Sequence, residues 1–283
     1  MSNLKFSGHE TFHCRHFWLK KGSDYTIKNI GFSATESVVE LGVGKNMVSA
    51  IHFWIKAFGI KEFDSEELTE IGDKLFGKNG VDPYLEDSGT LWLLQYYLIR
   101  TNYSSLYKLF FSEFRKTRID YNFTKDQLHS FIKRKCFENG VASSEKTIDN
   151  DIKVFLKNYI SPQKSSKSIE DDFSALFIEL GLITQLEDNI YKINLTNRAE
   201  LPDLILLYVI LDNFENQVSI TFSDIRDLVA NNFLMNTEGL DKKINNLVEN
   251  RPEIVYKEDA GRKELQFKKI IDKNQVLSEY YEA

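Results

Sequence analysis

The chain reads as a mainly α protein of two domains, built from helix-turn-helix and winged-helix units with short β-hairpin wings. Three observations carry that reading. Apolar residues recur at helical spacing along most of the chain, a Gly42-Val43-Gly44 break separates a short helical stretch from a longer one, and the last third runs strand, helix, helix, hairpin. A hydrophobic content of 42%, with 21 Phe and 13 Tyr beside only 4 Pro and 14 Gly, gives ordered, packed structure and excludes a disordered chain. At 283 residues the chain exceeds the usual size of one core.

The elements follow in order. Ser7-Gly8-His9-Glu10 has the form of a capping box, and Lys20-Lys21-Gly22 that of a cationic last turn with a left-handed cap. Together they predict a helix over about 8–21. A helix-turn-helix is predicted over 34–58: a short helix from Thr35 to Leu41, the glycine break, then a helix from Lys45 to Phe58. Val48, Ile51, Ile55 and Phe58 form its buried stripe, and Lys45, Asn46, Ser49, Phe53 and Lys56 its outer face. Leu68–Phe76 fits a strand or a helix, and Ser88–Tyr107 a strongly apolar helical stretch. Residues 123–160 repeat the helix-pair pattern, with Thr124 and Ser144 as caps.

Ser161–Ser168 has linker composition and sets the expected division: a helical domain over 1–160, a linker over 161–168, and a winged-helix domain over 169–283. In the last of these, a helix ends at Gly181, strands follow at Leu182–Leu186 and Ile190–Leu195, and Pro202 opens an apolar helix. A strand at Val218–Phe222, helices capped by Ser223 and opening at Thr237, and a hairpin tipped by Asp259–Arg262 complete it.

Charge narrows the function classes. The formal net charge of −6 is the wrong sign for coating nucleic acid by bulk attraction, so any DNA contact must be local. Residues 100–135 carry nine Lys/Arg against three acids, and residues 61–90 carry three Lys against nine acids. Cys14 and Cys136 fit no disulfide framework or CxxC pair, as expected in a reducing compartment. No signal-peptide stretch opens the chain, and the longest apolar run, Leu204–Leu211, falls far short of the roughly 20 residues that span a bilayer. A cytoplasmic protein is expected.

The strongest local signal for function is the 34–58 pair, because its turn can lock a second helix at the angle that enters the major groove. Lys45, Asn46 and Ser49 can then reach phosphates or base edges, and an outward Phe53 would mark a partner surface. Ser37 and Val38 depart from the usual pattern, and a plain helical hairpin in a core has much the same spacing. Arg15, Trp18, Lys20 and Lys21, with Arg115, Lys116, Arg118, Lys133, Arg134 and Lys135, are candidate phosphate contacts interleaved with aromatics. A solvated basic face is the alternative. Arg262 and Lys263 are candidates on the C-terminal wing.

On a helix over 8–21, His9, His13 and His16 would share a face and can converge on a metal, but no further ligand with recognisable spacing follows. Asp73, Asp82, Glu86 and Asp87 can hold Mg2+ for phosphodiester cleavage or simply line a solvated loop. The sequence contains no phosphate-binding glycine loop, no nucleotide fingerprint and no Ser/His/Asp order. No cofactor is evident.

The strings FSGHETF (6–12), Arg15, WLKKG (18–22), ELGVGKNMV (40–48), Trp54, LTEIG (68–72), DPYLED (82–87) and GTLWLL (89–94) resemble the bacterial family catalogued as DUF 4007. The resemblance covers about the first hundred residues strongly and the rest in outline. It implies the DNA-nicking or DNA-recognition component of an Ssp-type phosphorothioation system, which marks DNA with sulfur in antiviral defence. Implied with it are a homodimer and partners among the cysteine desulfurase, sulfurtransferase and ATPase subunits of that system. The resemblance carries over no catalytic residue; among its motif positions His9 and Glu10 are the candidate catalytic pair, and Mg2+ or Mn2+ the metal if the protein is a nuclease. A DNA-binding adaptor and a winged-helix transcriptional regulator are the competing readings.

Overall fold

A computed structural model describes residues 4–161, 175–259 and 261–282. About half of the described chain is helical, with two small three-stranded antiparallel sheets. The chain divides into two compact units, 1–194 and 195–283. Residues 162–168 of the expected linker, and 169–174 of the helix expected before Gly181, lie outside the described residues. No helix among the described residues is long and apolar enough to cross a membrane.

The first helix, α1, runs Trp18–Ile27 instead of 8–21. Ser7, Gly8, Glu10 and Thr11 take positive φ values of 67°, 97°, 50° and 68°, a region where a right-handed helix cannot propagate. The Ser7/Glu10 capping box therefore does not form, and the three histidines share no helical face. Gly22 is no cap either. It lies inside α1, where an added Cβ would sit 2.5 Å from Ile55 Cγ2 and 2.9 Å from Ile51 Cγ2. Its lack of a side chain lets α1 lie flush on α3.

Helices α2 (Ser37–Leu41) and α3 (Lys45–Ala57) form the expected pair. Gly42 adopts φ 62° as the left-handed cap of α2, and Gly44 is the extended N-cap of α3. Ser37 fills a buried position by donating its hydroxyl to Ala34 O at 2.7 Å. Helix α4 (Glu70–Phe76) settles the ambiguous stretch as helix, with Thr69 Oγ1 accepting from Gly72 N at 3.0 Å. The long apolar stretch splits into α5 (Ser88–Thr101) and α6 (Ser105–Ser112). Asn102 turns left-handed at φ 51°, and Ser105 exchanges hydrogen bonds with Lys5, its amide donating to Lys5 O at 3.0 Å and its Oγ accepting from Lys5 N at 2.9 Å.

The first unit closes with β1 (Asn122–Thr124), α7 (Lys125–Glu138), α8 (Glu145–Tyr159), β2 (Ile183–Glu187) and β3 (Ile190–Ile193). The sheet order is β1-β3-β2. Thr124 and Gln127 form a reciprocal capping box at the start of α7, and Ser144 caps α8. The two strands read from sequence as part of the C-terminal domain thus belong to the first unit, β3 pairing with β1 and β2 with β3. Aromatic packing fills this core: Phe110 meets Phe111, Phe114, Phe123 and Phe155 with ring centroids 4.7–5.5 Å apart.

The second unit contains α9 (Asp203–Asn213), β4 (Ser219–Thr221), α10 (Phe222–Leu228), α11 (Thr237–Asn250), β5 (Ile254–Asp259), β6 (Arg262–Phe267) and α12 (Lys273–Glu282). Thr221, two residues earlier than the expected Ser223, caps α10. Helix α9 is apolar nearly all round and packs against α11 and α12. The sheet order is β4-β6-β5. Each unit therefore contains the same succession, strand, helix, helix, strand, strand, with the last strand in the middle of the sheet.

Candidate nucleic-acid interface

Helix α3 buries Val48, Ala50, Ile51, Phe53, Trp54, Ile55 and Ala57. The expected stripe is buried as read, but it is broader than read, and Phe53 belongs to it. That ring is 5% exposed, packed edge-on to His9 and Trp54 at 5.5 and 5.2 Å and against the backbone of Gly8. It is a core residue and touches no partner surface. What remains on the outer face is Lys45, Asn46 and Ser49, all exposed. Neither Lys45 nor Asn46 has a side-chain hydrogen bond or ion pair among the described contacts, while Ser49 Oγ donates weakly to Lys45 O at 3.4 Å. The three occupy the first turn and a half of the helix, next to the Gly42–Gly44 turn.

The other expected cations are mostly neutralised within the chain. Lys20 pairs with Asp24 at 2.5 Å, and Lys21 donates to Leu41 O at 3.1 Å, which ties α1 to the end of α2. Arg15 lies over the ring of Trp18, itself 4% exposed, at 5.3 Å. Lys133 pairs with Glu145, Arg134 with Glu138, and Lys135 with both Glu113 and Glu138. These bonds hold the Lys135 ammonium above, and the Glu138 and Glu145 carboxyls below, their ordinary pKa ranges. Arg115 has a buried Nε, while Lys116 is exposed.

Arg118 stacks over Phe114 at 5.1 Å and Arg134 over Phe131 at 5.5 Å. The two line a shallow groove with Thr117, Gln127, Ser130 and Asp126. On the β5–β6 hairpin, Arg262 pairs with Glu264 at 3.0 Å and Lys263 with Asp241 of α11 at 2.6 Å. Asp241 also accepts from Tyr256 Oη at 2.9 Å, so Lys263 fastens the hairpin to α11.

The expected catalytic pair separates. Glu10 is exposed, whereas His9 is 3% exposed and stacked on Trp54 at 6.0 Å. His9 Nε2 bonds Asp151 Oδ1 at 3.1 Å, and the same carboxylate accepts the Ser7 amide at 3.0 and 3.1 Å. Further along, the Cys14 amide donates to Asn158 Oδ1 at 3.0 Å, and Asn158 donates to Tyr107 Oη at hydrogen-bond distance. Burial pushes the Cys14 thiol and the Tyr107 hydroxyl well above their ordinary pKa values. The turn-rich segment 7–14 is thereby clamped onto α8 through Asp151 and Asn158, with His9 Nδ1 left buried and unbonded. Sequence reasoning missed Asp151 and Asn158. The available signal was their position: Asp151 lies on the apolar face of α8 that carries Ile148, Ile152 and Phe155.

The acidic stretch is also absorbed by the fold. Asp82, 6% exposed, accepts the amides of Glu86 and Asp87 at 2.8 and 3.2 Å. Asp87 caps α5 through Gly89 N at 2.7 Å. Among the described residues no group of three His, Cys, Asp or Glu converges as a metal-binding cluster. The convergence of His9, His13 and His16 that a shared helical face would have allowed does not occur. His9 points to Asp151, and His16 Nε2 bonds the carbonyl of Tyr84 at 2.7 Å.

A family model described as a protein of unknown function, DUF4007, matches residues 6–281. The chain belongs to this family. Its fold is similar to two crystal structures of SspB, one of them described as magnesium ion-bound. The magnesium-bound structure superposes with a TM-score of 0.82 at 25% identity, the other with 0.84 at 26%. Each comparison covers 99% of this chain and 88% of the SspB chain. No curated protein matches the chain.

Proposed function

We propose that the protein is the DNA-recognition component of a bacterial phosphorothioation system, and that it nicks or presents the strand into which sulfur is inserted. Kinship with SspB supports the system. The observation that carries DNA recognition is the outer face of α3, where Lys45, Asn46 and Ser49 stand exposed behind a glycine turn, with no carboxylate partner on Lys45 among the described residues. That is the placement from which a helix-turn-helix reaches phosphates and base edges. The two strand-helix-helix-hairpin successions are read as winged-helix modules. In the second, the wing cations are consumed by Asp241 and Glu264, which favours contact with a protein of the same system, a desulfurase, sulfurtransferase or ATPase subunit, over contact with phosphate.

Magnesium is bound by the related SspB, and the acids first considered for it in this chain do not fit. Asp82 and Asp87 direct their oxygens at amides of their own loop, so no step is routed through a metal there. Two measurements test the function. In low-salt gel shifts, Lys45→Glu with Asn46→Ala abolishes duplex binding; unchanged binding removes α3 from the interface. Supercoiled plasmid incubated with the protein and Mg2+ or Mn2+ gives open-circle product, and its absence eliminates nicking while leaving recognition standing.

A further inference from the structure

Two exposed aromatic residues share His16 as a neighbour. Phe17, the N-cap of α1, is 62% exposed, and Tyr84 is 55% exposed. Most of the described rings are buried, so two large exposed ones meeting at one histidine require a reason. His16 Nε2 donates to the Tyr84 carbonyl at 2.7 Å, and the His16 ring meets Phe17 edge-on at 5.4 Å. One turn along α1 from Phe17 stands Lys21, whose ammonium reaches Leu41 O at the end of α2. Three residues on, the chain passes into Lys45 and Asn46. These contacts, with the chain between them, link Tyr84, His16, Phe17, Lys21, the glycine turn and the first turn of α3.

We propose that Phe17 and Tyr84 form a stacking platform for unpaired nucleobases of a single DNA strand whose backbone runs past Lys21 toward Lys45. Single-strand binding combines aromatic faces, which accept any base, with cations that track the phosphates. The path supplies both. Lys21 and Lys45 carry no carboxylate partner among the described contacts, and Glu86 is the exposed acid nearest to Tyr84 in sequence. A polyanion with flat faces matches both features, the cations by its phosphates and the rings by its bases. The inference rests on the DNA reading above and adds the form of DNA and the residues that hold it.

Fluorescence anisotropy with the full-length protein tests it, using three labelled probes of equal length: a thymidine oligonucleotide, the same backbone without bases, and a duplex. The thymidine probe binds more tightly than the abasic one. Phe17→Ala and Tyr84→Ala each weaken thymidine binding about five-fold or more and leave the duplex unaffected, while Phe17→Trp retains affinity and Phe17→Leu does not. Both positions are exposed, so the truncated chains fold, and a thermal melt confirms this. Equal affinity for thymidine and abasic probes, or full affinity in both alanine variants, overturns the proposal. If the wild-type protein binds the duplex under those outcomes, DNA recognition survives and the platform alone falls. If it binds none of the three probes, the DNA reading itself falls.

Discussion

Replacing Asp151 by alanine should loosen the whole N-terminal segment. The carboxylate is 3% exposed and is the only acceptor described for both the Ser7 amide and His9 Nε2. Its removal leaves His9 Nε2 buried without a partner beside Trp54 and Phe53, and frees the Ser7 amide. Leaving a buried donor unsatisfied costs about 1–3 kcal/mol. In a unit of 194 residues, each kcal/mol moves the melting temperature by about 2–4 °C, so a fall of roughly 2–12 °C is expected. Asp151→Asn retains an acceptor for Ser7 and falls by less. Circular dichroism melts of wild type and both variants give the answer. A melting temperature for Asp151→Ala within about 2 °C of wild type would refute the clamp. A different outcome bears on chemistry: if Asp151→Asn and His9→Gln melt normally and bind DNA but lose plasmid nicking about a hundred-fold, the pair moves a proton in the reaction.

Three other perturbations follow from single contacts. Gly72→Ala places a Cβ 2.0 Å from the carbonyl oxygen of Ile60, a backbone atom that cannot rotate away, so the variant should accumulate poorly in soluble form at 37 °C; expression and melting temperature equal to wild type would contradict this. His52 stacks on Phe32 at 4.4 Å with Nε2 unpartnered, and burial, then Lys56, Lys61 and Lys5, lowers its pKa from 6.5 to about 4. The folded state therefore disfavours the cation: the stability contributed is present above pH 6.5 and is lost as the pH falls toward 4. His52→Phe should lose less melting temperature than wild type between pH 7 and 4.5. Lys263→Ala should lower the melting temperature through the lost Asp241 contact and leave duplex affinity within two-fold (about) of wild type, as gel shifts will show.

Helix existence was legible wherever a cap preceded an apolar period: Thr124 and Ser144 announce α7 and α8, and the glycine turn announces α2 and α3. The misreadings share one cause. Ser7-Gly8-His9-Glu10 has local helical grammar, yet Asp151, more than 140 residues away, holds His9 in a left-handed turn, and no local rule sees so distant a partner. Gly22 looks like a cap because the alternative use of glycine, close passage of two helices, depends on which helix lies opposite. Phe53 looks outward on one helix drawn alone, but segment 6–9 covers that side of α3 as well. Cation pairing was equally hidden, since Lys135 and Glu113, or Lys263 and Asp241, lie 22 residues apart.

That pairing bears on the DNA binding proposed for a chain of net charge −6. Of the cations expected at the interface, Lys20, Lys133, Arg134, Lys135, Arg262 and Lys263 already have carboxylate partners. Lys21, Lys45, Lys116 and Arg118 have none among the described contacts. If only those four release counterions, each contributing about 0.9 to the slope, log K against log salt should fall with a slope of about −3 to −4. Binding would then be modest in bulk attraction and would depend on shape, base contact and stacking. A measured slope of about −7 or steeper would mean that the paired lysines and arginines exchange their carboxylates for phosphates on binding. In that case the basic stretch 115–135, and not the first turn of α3, would be the principal DNA contact.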